Sequence, residues 1–339
     1  MSSTKNTSIL VTGANGYIAK HIVKQALNAG YGVVGTVRSV DKGEALAKLV
    51  KNDKFSYEVV EGVDYKGAYD EPLKNHPEVT VLLHTASPNN FGAEDPLNET
   101  INPAIEGVNN LFDSIKRNAP QVKRVVLTTS IAAIGILQGF SVVGGPYSEE
   151  DWNPITIEEG SKDPFSGYFA SKKYEEKAAW NYIEEVKPNF SVVTIAPGFA
   201  AGPQAFDEDA AAGVQASTSG FVASWLDLTP SSDIPDLDFQ IVDVRDVAKA
   251  HILGFELDAA QGERLIAASE GFNANVILEI IKKNFPEYKD KLPVTDSNAP
   301  KPKSHFKNDK TIKTLGIEFN KTEKIIVDQL TQLSRFKKA

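Results

Sequence analysis

The sequence predicts an α/β protein: a doubly wound parallel sheet with a smaller mixed α/β region toward the C-terminus. Three observations carry this reading. Short, continuously apolar runs alternate with longer amphipathic segments through the first two thirds of the chain. Strands of that kind are buried on both faces, as in a parallel sheet covered by helices. A glycine-rich turn follows the first apolar run directly. The 339 residues also suffice for about two domains, or one large one, with a core that needs no disulfide or metal.

The elements follow in order. Ser8 to Thr12 reads as a strand, ended by Gly13, and Tyr17 to Asn28 has helical spacing and stops before Gly30. Val33 to Val37 is a second strand. Asp41 to Val50 is a helix whose first acid is suited to capping it. Tyr57 to Val60 is strand-like, and Val79 to His84 is a nearly unbroken apolar strand. Pro103 to Lys116 is a long helix, Val122 to Thr128 a strand, Tyr168 to Val186 a helix ended by Pro188, and Ser191 to Ala196 a further strand. After Pro197 the pattern loosens, with scattered aromatics among small residues. Phe239 to Asp246 then reads as a strand entering a helix over Val247 to Leu257. These elements divide the chain into a nucleotide-binding region, 1–197 with 238–267 returning to it, and a substrate-binding region, 198–237 with 268–339.

The glycine turn reads Gly13-Ala14-Asn15-Gly16-Tyr17-Ile18-Ala19. A strand that turns sharply into a helix needs Gly13 for the turn. Gly16 lets a pyrophosphate approach the backbone, and Ala19 lets the helix pack closely on the sheet. The free N–H groups at the helix start then face the phosphates, as in the Rossmann arrangement, with Asn15, Tyr17 and Ile18 beside them. No Gly-Lys-Ser/Thr follows, which excludes a P-loop. Sites for NAD carry an acid at the end of the second strand. Here that strand runs into Arg38, with Lys42 one helical turn on. A planar fork and an ammonium suit a 2′-phosphate, so the expected cofactor is NADPH. Asp64, after the third strand, is a candidate adenine contact.

Tyr168 and Lys172 stand at i and i+4 on a predicted helix, which places them on one face. A free phenol has a pKa near ~10, and a neighbouring ammonium lowers it toward useful acid–base chemistry. The same lysine is suited to bond the nicotinamide ribose and relay a proton. A hydroxyl for the substrate oxygen is expected at the carboxyl end of the strand over 122–128: Ser130, or Thr129 if the register differs by one.

These residues resemble the extended short-chain dehydrogenases/reductases, and within them the fungal NADPH-dependent carbonyl reductases that act on methylglyoxal and other aldehydes. Dihydroflavonol reductases are more distant. The resemblance spans most of the chain and is carried by the segments at 11–23, 35–39, 84–88, 166–172, 202–204 and 242–255. It implies Ser130, Tyr168 and Lys172 as a catalytic triad, and Arg38 and Lys42 at the 2′-phosphate. It also implies Thr85, Ala86 and Ser87 in the cofactor cleft, and Pro197 beside the nicotinamide. The substrate wall is expected to draw on Phe91, Phe165, Phe199, Phe221 and Trp225, with plain core packing the alternative for each. The rival readings are a nucleotide-sugar epimerase or dehydratase of the same superfamily, and a non-catalytic NADP-binding regulator.

Composition narrows the partners. Acids outnumber Lys and Arg 45 to 36, a net charge of −9, which disfavours nucleic acid as a partner. There is no cysteine, so thiol chemistry and zinc–thiolate sites are excluded. The five histidines lack metal-ligand spacing. Residues 1–7 are polar and no apolar stretch is long enough for a membrane span, so a cytoplasmic monomer or homodimer acting on a small carbonyl compound is expected.

Overall fold

A computed structural model describes residues 7–138, 141–213, 218–296 and 298–336. Residues 1–6, on which the targeting expectation partly rests, lie outside the described range.

The first half alternates as expected: β1 (Ser8–Thr12), α1 (Tyr17–Asn28), β2 (Gly32–Val37), α2 (Val40–Val50), β3 (Phe55–Val59), α3 (Asp70–Asn75), β4 (Val79–His84), α4 (Asn102–Asn118) and β5 (Arg124–Thr128). Two short strands follow, β6 (Ile136–Gln138) and β7 (Ser141–Val143), then α5 (Ile157–Gly160), α6 (Pro164–Val186), β8 (Ser191–Pro197) and β9 (Phe199–Ala201). The remainder comprises α7 (Asp207–Ala211), α8 (Thr218–Ser224), β10 (Asp238–Asp243), α9 (Val244–Glu256), β11 (Arg264–Ala267), β12 (Gly271–Asn273), α10 (Ala274–Asn284), α11 (Asp309–Leu315) and α12 (Thr322–Ser334).

Seven strands form one sheet in the order β11-β8-β5-β4-β1-β2-β3, every pair parallel. The chain starts in the middle, winds outward through β2 and β3, and crosses back to β4. That is the topology that opens a crevice beyond the carboxyl ends of β1 and β4. Helices α1 and α9 pack on one face, around Ile22, Val23 and Val247. Helices α3, α4 and α6 cover the other, around Leu73, Phe112 and Ala179. With both faces covered, Leu82, Leu83, Val125 and Val126 are fully buried, which is why these strands are apolar without alternation. A third core lies beside the sheet, around β10, α10 and α12. There β10 pairs antiparallel with β12 and parallel with β7 and β9.

Several expected boundaries move. The long helix that carries Tyr168 and Lys172 starts at Pro164, because Asp163 caps it by accepting from the Phe165 and Ser166 N–H groups, both at 3.0 Å. The strand expected to reach Asp246 ends at Asp243, whose carboxylate caps α9 through the Arg245 N–H at 2.8 Å. Asp41 lies within the first turn of α2 and Ser39 occupies the cap position. Of the segment expected to return to the large sheet, α9 and β11 do so, while β10 lies in the small sheet. The same sheet takes β6 and β7 from within 1–197. No helix among the described residues is long and apolar enough to cross a membrane.

Candidate active site

The crevice at the ends of β1 and β4 is a cavity of about 570 Å³. Gly13 begins the turn with φ +63, a left-handed backbone that an L side chain rarely adopts. The turn is tied down by the Gly16 N–H to the Gly13 carbonyl and the Ala14 N–H to the Thr36 carbonyl, both 2.9 Å. Gly16 then starts α1 with no side-chain cap, so the first N–H groups of the helix have no side chain closing them off. Opposite, the loop after β4 is strapped to β1. Thr12 Oγ1 accepts from the Thr85 and Ala86 N–H groups at 3.0 Å, and Thr85 Oγ1 donates to the Thr12 carbonyl at 2.5 Å.

The cavity wall brings together Gly13, Asn15, Gly16, Arg38, Lys42, Asp64, Thr85, Ala86 and Ser87. These come from the turns after β1, β2, β3 and β4, four segments that the parallel topology brings to one edge of the sheet. An elongated ligand with phosphates at the glycine turn and a further anionic group at Arg38 and Lys42 fits this distribution of charge. Three expected residues lie otherwise. The Tyr17 side chain leaves the turn and donates to the Gly202 carbonyl at 2.5 Å, and burial holds its phenol well above the usual range. It is a strut between α1 and the segment after β9. Ile18 packs on the core of the α1–α9 face. Pro197 is buried at the end of β8, in register with Ala267.

The second cluster stands at the ends of β5 and α6. Tyr168 Oη donates to Ser130 Oγ at 3.3 Å. Ser130 also caps the short turn over Ile131–Ala133 through the Ala132 N–H at 3.1 Å, which fixes its hydroxyl. Thr129 points the other way: its Oγ1 donates to Glu176 Oε2 at 3.0 Å, within a buried pair between Glu176 and Arg264 at 2.8 Å. Alternation along the strand end thus separates the two candidate hydroxyls, and Ser130 is the one facing the phenol. Lys172 is 7% exposed, and its Nζ donates to Glu175 Oε2 at 3.0 Å. Burial pushes the Glu175 carboxyl up, against the pull of the Lys172 ammonium. His84 is buried beneath this cluster, bonded through Nδ1 to Thr12 at 2.7 Å, and burial lowers its pKa to about 3, which keeps it neutral.

Phe91 is 55% exposed and lies over the phenol, with ring centroids 5.6 Å apart, and sits 6.2 Å from Phe165. Its loop is held by Glu99, whose Oε1 accepts from the Glu94 and Asp95 N–H groups at 3.0 and 2.8 Å. Phe199 and Phe221 form an edge-on pair at 5.3 Å in the small-sheet core. Trp225 is 2% exposed behind Phe221, so of the five expected wall aromatics it is the one buried as core. Sequence reasoning missed Glu99 and Glu175. The only signal for Glu175 was an acid three residues past a lysine on a helix, a common surface pattern whose burial shows only once α6 is packed.

Residues 9–267 match the NAD dependent epimerase/dehydratase family, and the chain belongs to that family. Its particular resemblance is to reductases. It is 36% identical to the NADPH-dependent methylglyoxal reductase GRE2 of Saccharomyces cerevisiae, over 97% of this chain and 98% of that one. A solved reductase structure, 43% identical, superposes with a TM-score of 0.90 over 97% of this chain and 99% of the other. The crystal structure of Gre2 from Candida albicans in complex with NADPH is 37% identical, with a TM-score of 0.89, over 98% of this chain and 100% of that one.

Proposed function

We propose that this chain is an NADPH-dependent carbonyl reductase that converts aldehydes and ketones to alcohols, with Tyr168 as the proton donor. The observation that carries the reading is the Tyr168–Ser130 hydrogen bond at 3.3 Å, at the carboxyl end of the sheet that also holds the dinucleotide-sized crevice. The likeness to NADPH-dependent methylglyoxal reductases supports it.

The glycine turn would hold the cofactor at its phosphates and Arg38 and Lys42 at the 2′-phosphate, with Asp64 toward the adenine and Thr85, Ala86 and Ser87 along the cleft. When bound, the reduced nicotinamide supplies hydride to the carbonyl carbon. Ser130 and Tyr168 bond the substrate oxygen and orient it. As negative charge grows on that oxygen, Tyr168 gives up its proton and Ser130 donates a second hydrogen bond. Lys172, one turn along the same face, stabilises the phenolate left behind. Phe91 and Phe165, packed beside the phenol, offer an apolar arm a surface, and the part-buried Phe199 and Phe221 are the further candidates for that wall. An epimerase reading fits less well, since an NAD site would place an acid where Arg38 stands.

The test is a panel of methylglyoxal, isovaleraldehyde, a β-keto ester and an aryl ketone, each run with NADPH and with NADH. Consumption of NADPH with at least one carbonyl, well ahead of NADH, is expected. Cofactor binding without turnover on any of them overturns the reading in favour of a regulator, and tightly retained NAD released on denaturation would favour an epimerase.

A further inference from the structure

Helix α6 carries a buried charge that the proton-donor reading leaves without a task. Glu175 is 1% exposed, and its Oε2 accepts from Lys172 Nζ at 3.0 Å. Taking two opposite charges out of water is costly, and an apolar side chain of similar volume packs such a site at least as well. An acid here therefore calls for a reason beyond filling space. Without a partner, Lys172 presents a full positive charge on the helix face it shares with Tyr168.

The other groups around the pair are already committed or neutral. From α6, Glu176 is paired with Arg264 and bonded to Thr129, and Lys173 donates to the Ile155 carbonyl at 2.5 Å. From β4, His84 is held neutral by burial. From the loop after β4, Ser87 faces Glu175 and is uncharged. From the segment before α3, Tyr69 is fully buried, and burial pushes its phenol above the usual range. Arg38 acts on that Tyr69 from the cofactor side. From α4, Asp113 is bonded to Tyr182 at 2.9 Å, three turns away along α6. Among the described residues, Glu175 is thus the one charge in contact with the Lys172 ammonium.

We propose that Glu175 is a positioning residue that offsets the charge of Lys172 and so keeps the Tyr168 phenol protonated, and able to donate, to higher pH than an unpaired lysine would allow. The inference rests on the proton-donor reading of Tyr168. A lone ammonium acts on the phenol with its full field, whereas an ammonium–carboxylate pair acts as a dipole whose field falls off faster. The pair therefore favours reduction, which needs the phenol, over alcohol oxidation, which needs the phenolate.

Glu175→Gln removes the charge and keeps an oxygen for Lys172. In this variant the high-pH limb of kcat for carbonyl reduction is expected to move down by about half to one pH unit. The rise of alcohol oxidation with pH moves down equally, so oxidation near neutral pH gains roughly 3- to 10-fold. Glu175→Asp, which keeps the charge, leaves the limb where the parent has it. In a Lys172→Met background Glu175→Gln produces no shift. A Glu175→Gln profile superimposable on the parent's, with unchanged melting temperature, overturns the proposal. So does an equal shift in the Lys172→Met background. If Glu175→Gln fails to fold, Glu175→Met, an uncharged side chain of similar volume, takes its place in the same comparison, with the same expected shift and the same overturning result. Tyr168→Phe keeps the two readings apart. Turnover surviving in that variant removes the proton-donor reading itself, while an inactive Tyr168→Phe with an unmoved Glu175→Gln limb removes only the role of Glu175.

Discussion

The large sheet and the small sheet are built by different means, and the candidate crevice lies on the large one. On the large sheet the crevice residues sit in the turns after β1, β2, β3 and β4, and much of what they offer is backbone: a left-handed Gly13, N–H groups after Gly16 with no side-chain cap, a loop strapped by Thr12. Parallel topology alone gathers these turns at one edge. On the small sheet the contribution is a packed aromatic core. Phe199, Phe221, Phe239 and Phe272 meet there from four separate segments, Phe199 lying 5.3, 5.9 and 5.5 Å from the other three. A crevice built from backbone turns tolerates little change of sequence pattern, whereas a cluster of aromatic side chains can be repacked one residue at a time.

The sharpest way to break this comparison is at the junction of the two halves. Tyr168→Phe removes the proton that the proposed mechanism gives to the substrate oxygen, and turnover is expected to fall roughly 10²- to 10⁴-fold, with NADPH affinity by fluorescence titration little changed. Near-normal turnover in the folded variant would end the donor role. Trp225→Ala probes the small-sheet half alone. The indole is buried against Phe221, so the deletion is expected to cost about 3–5 kcal/mol in a denaturant titration while leaving the NADPH affinity in place. A loss of cofactor affinity on the same scale would mean that the halves are not separable in this way. Arg38→Ala probes the other side: NADPH binding is expected to weaken by ~1.5–3 kcal/mol, the range for hydrogen bonds to charged groups, with NADH affinity nearly unmoved. Equal weakening for both cofactors would remove Arg38 from the 2′-phosphate.

The same division explains what could be read from the sequence. The strands of the large sheet are fully buried and therefore apolar throughout, so β1, β4, β5 and β8 could be placed to within about two residues, as could the glycine turn between β1 and α1. The start of α6 was missed by four residues because its signal is a cap, Asp163 before Pro164, and not a change in apolar period. The small sheet was nearly invisible. Strands β6, β7, β9 and β12 are three residues each, too short for alternation to register, and Asp238 pairs with Ser141 across almost a hundred residues of chain. In the site, Tyr168, Lys172 and Ser130 were legible as residue types in order along the chain. The choice of Ser130 over Thr129 needed the direction of each hydroxyl, and the partnership of Lys172 with Glu175 needed burial.

Phe91 offers the finest cut, because it belongs to the large-sheet half by chain position yet works as side-chain surface. It rides on a loop between β4 and α4 that is anchored through Glu99, and its ring lies 5.6 Å from that of Tyr168 while remaining more than half exposed. A ring so placed buries little of itself against the protein, which leaves its free face for an apolar arm of the substrate. Phe91→Ala is therefore expected to raise KM for isovaleraldehyde or an aryl ketone by roughly 3- to 10-fold, the ~0.5–1.5 kcal/mol of one aromatic contact, and to leave KM for methylglyoxal, which has almost no arm, within about twofold. Since Ser130 fixes the hydroxyl of Tyr168 independently of Phe91, kcat should change less than KM. A uniform fall in kcat for every substrate would instead show that Phe91 serves by holding the phenol in place, and the loop after β4 would then count with the backbone-built half.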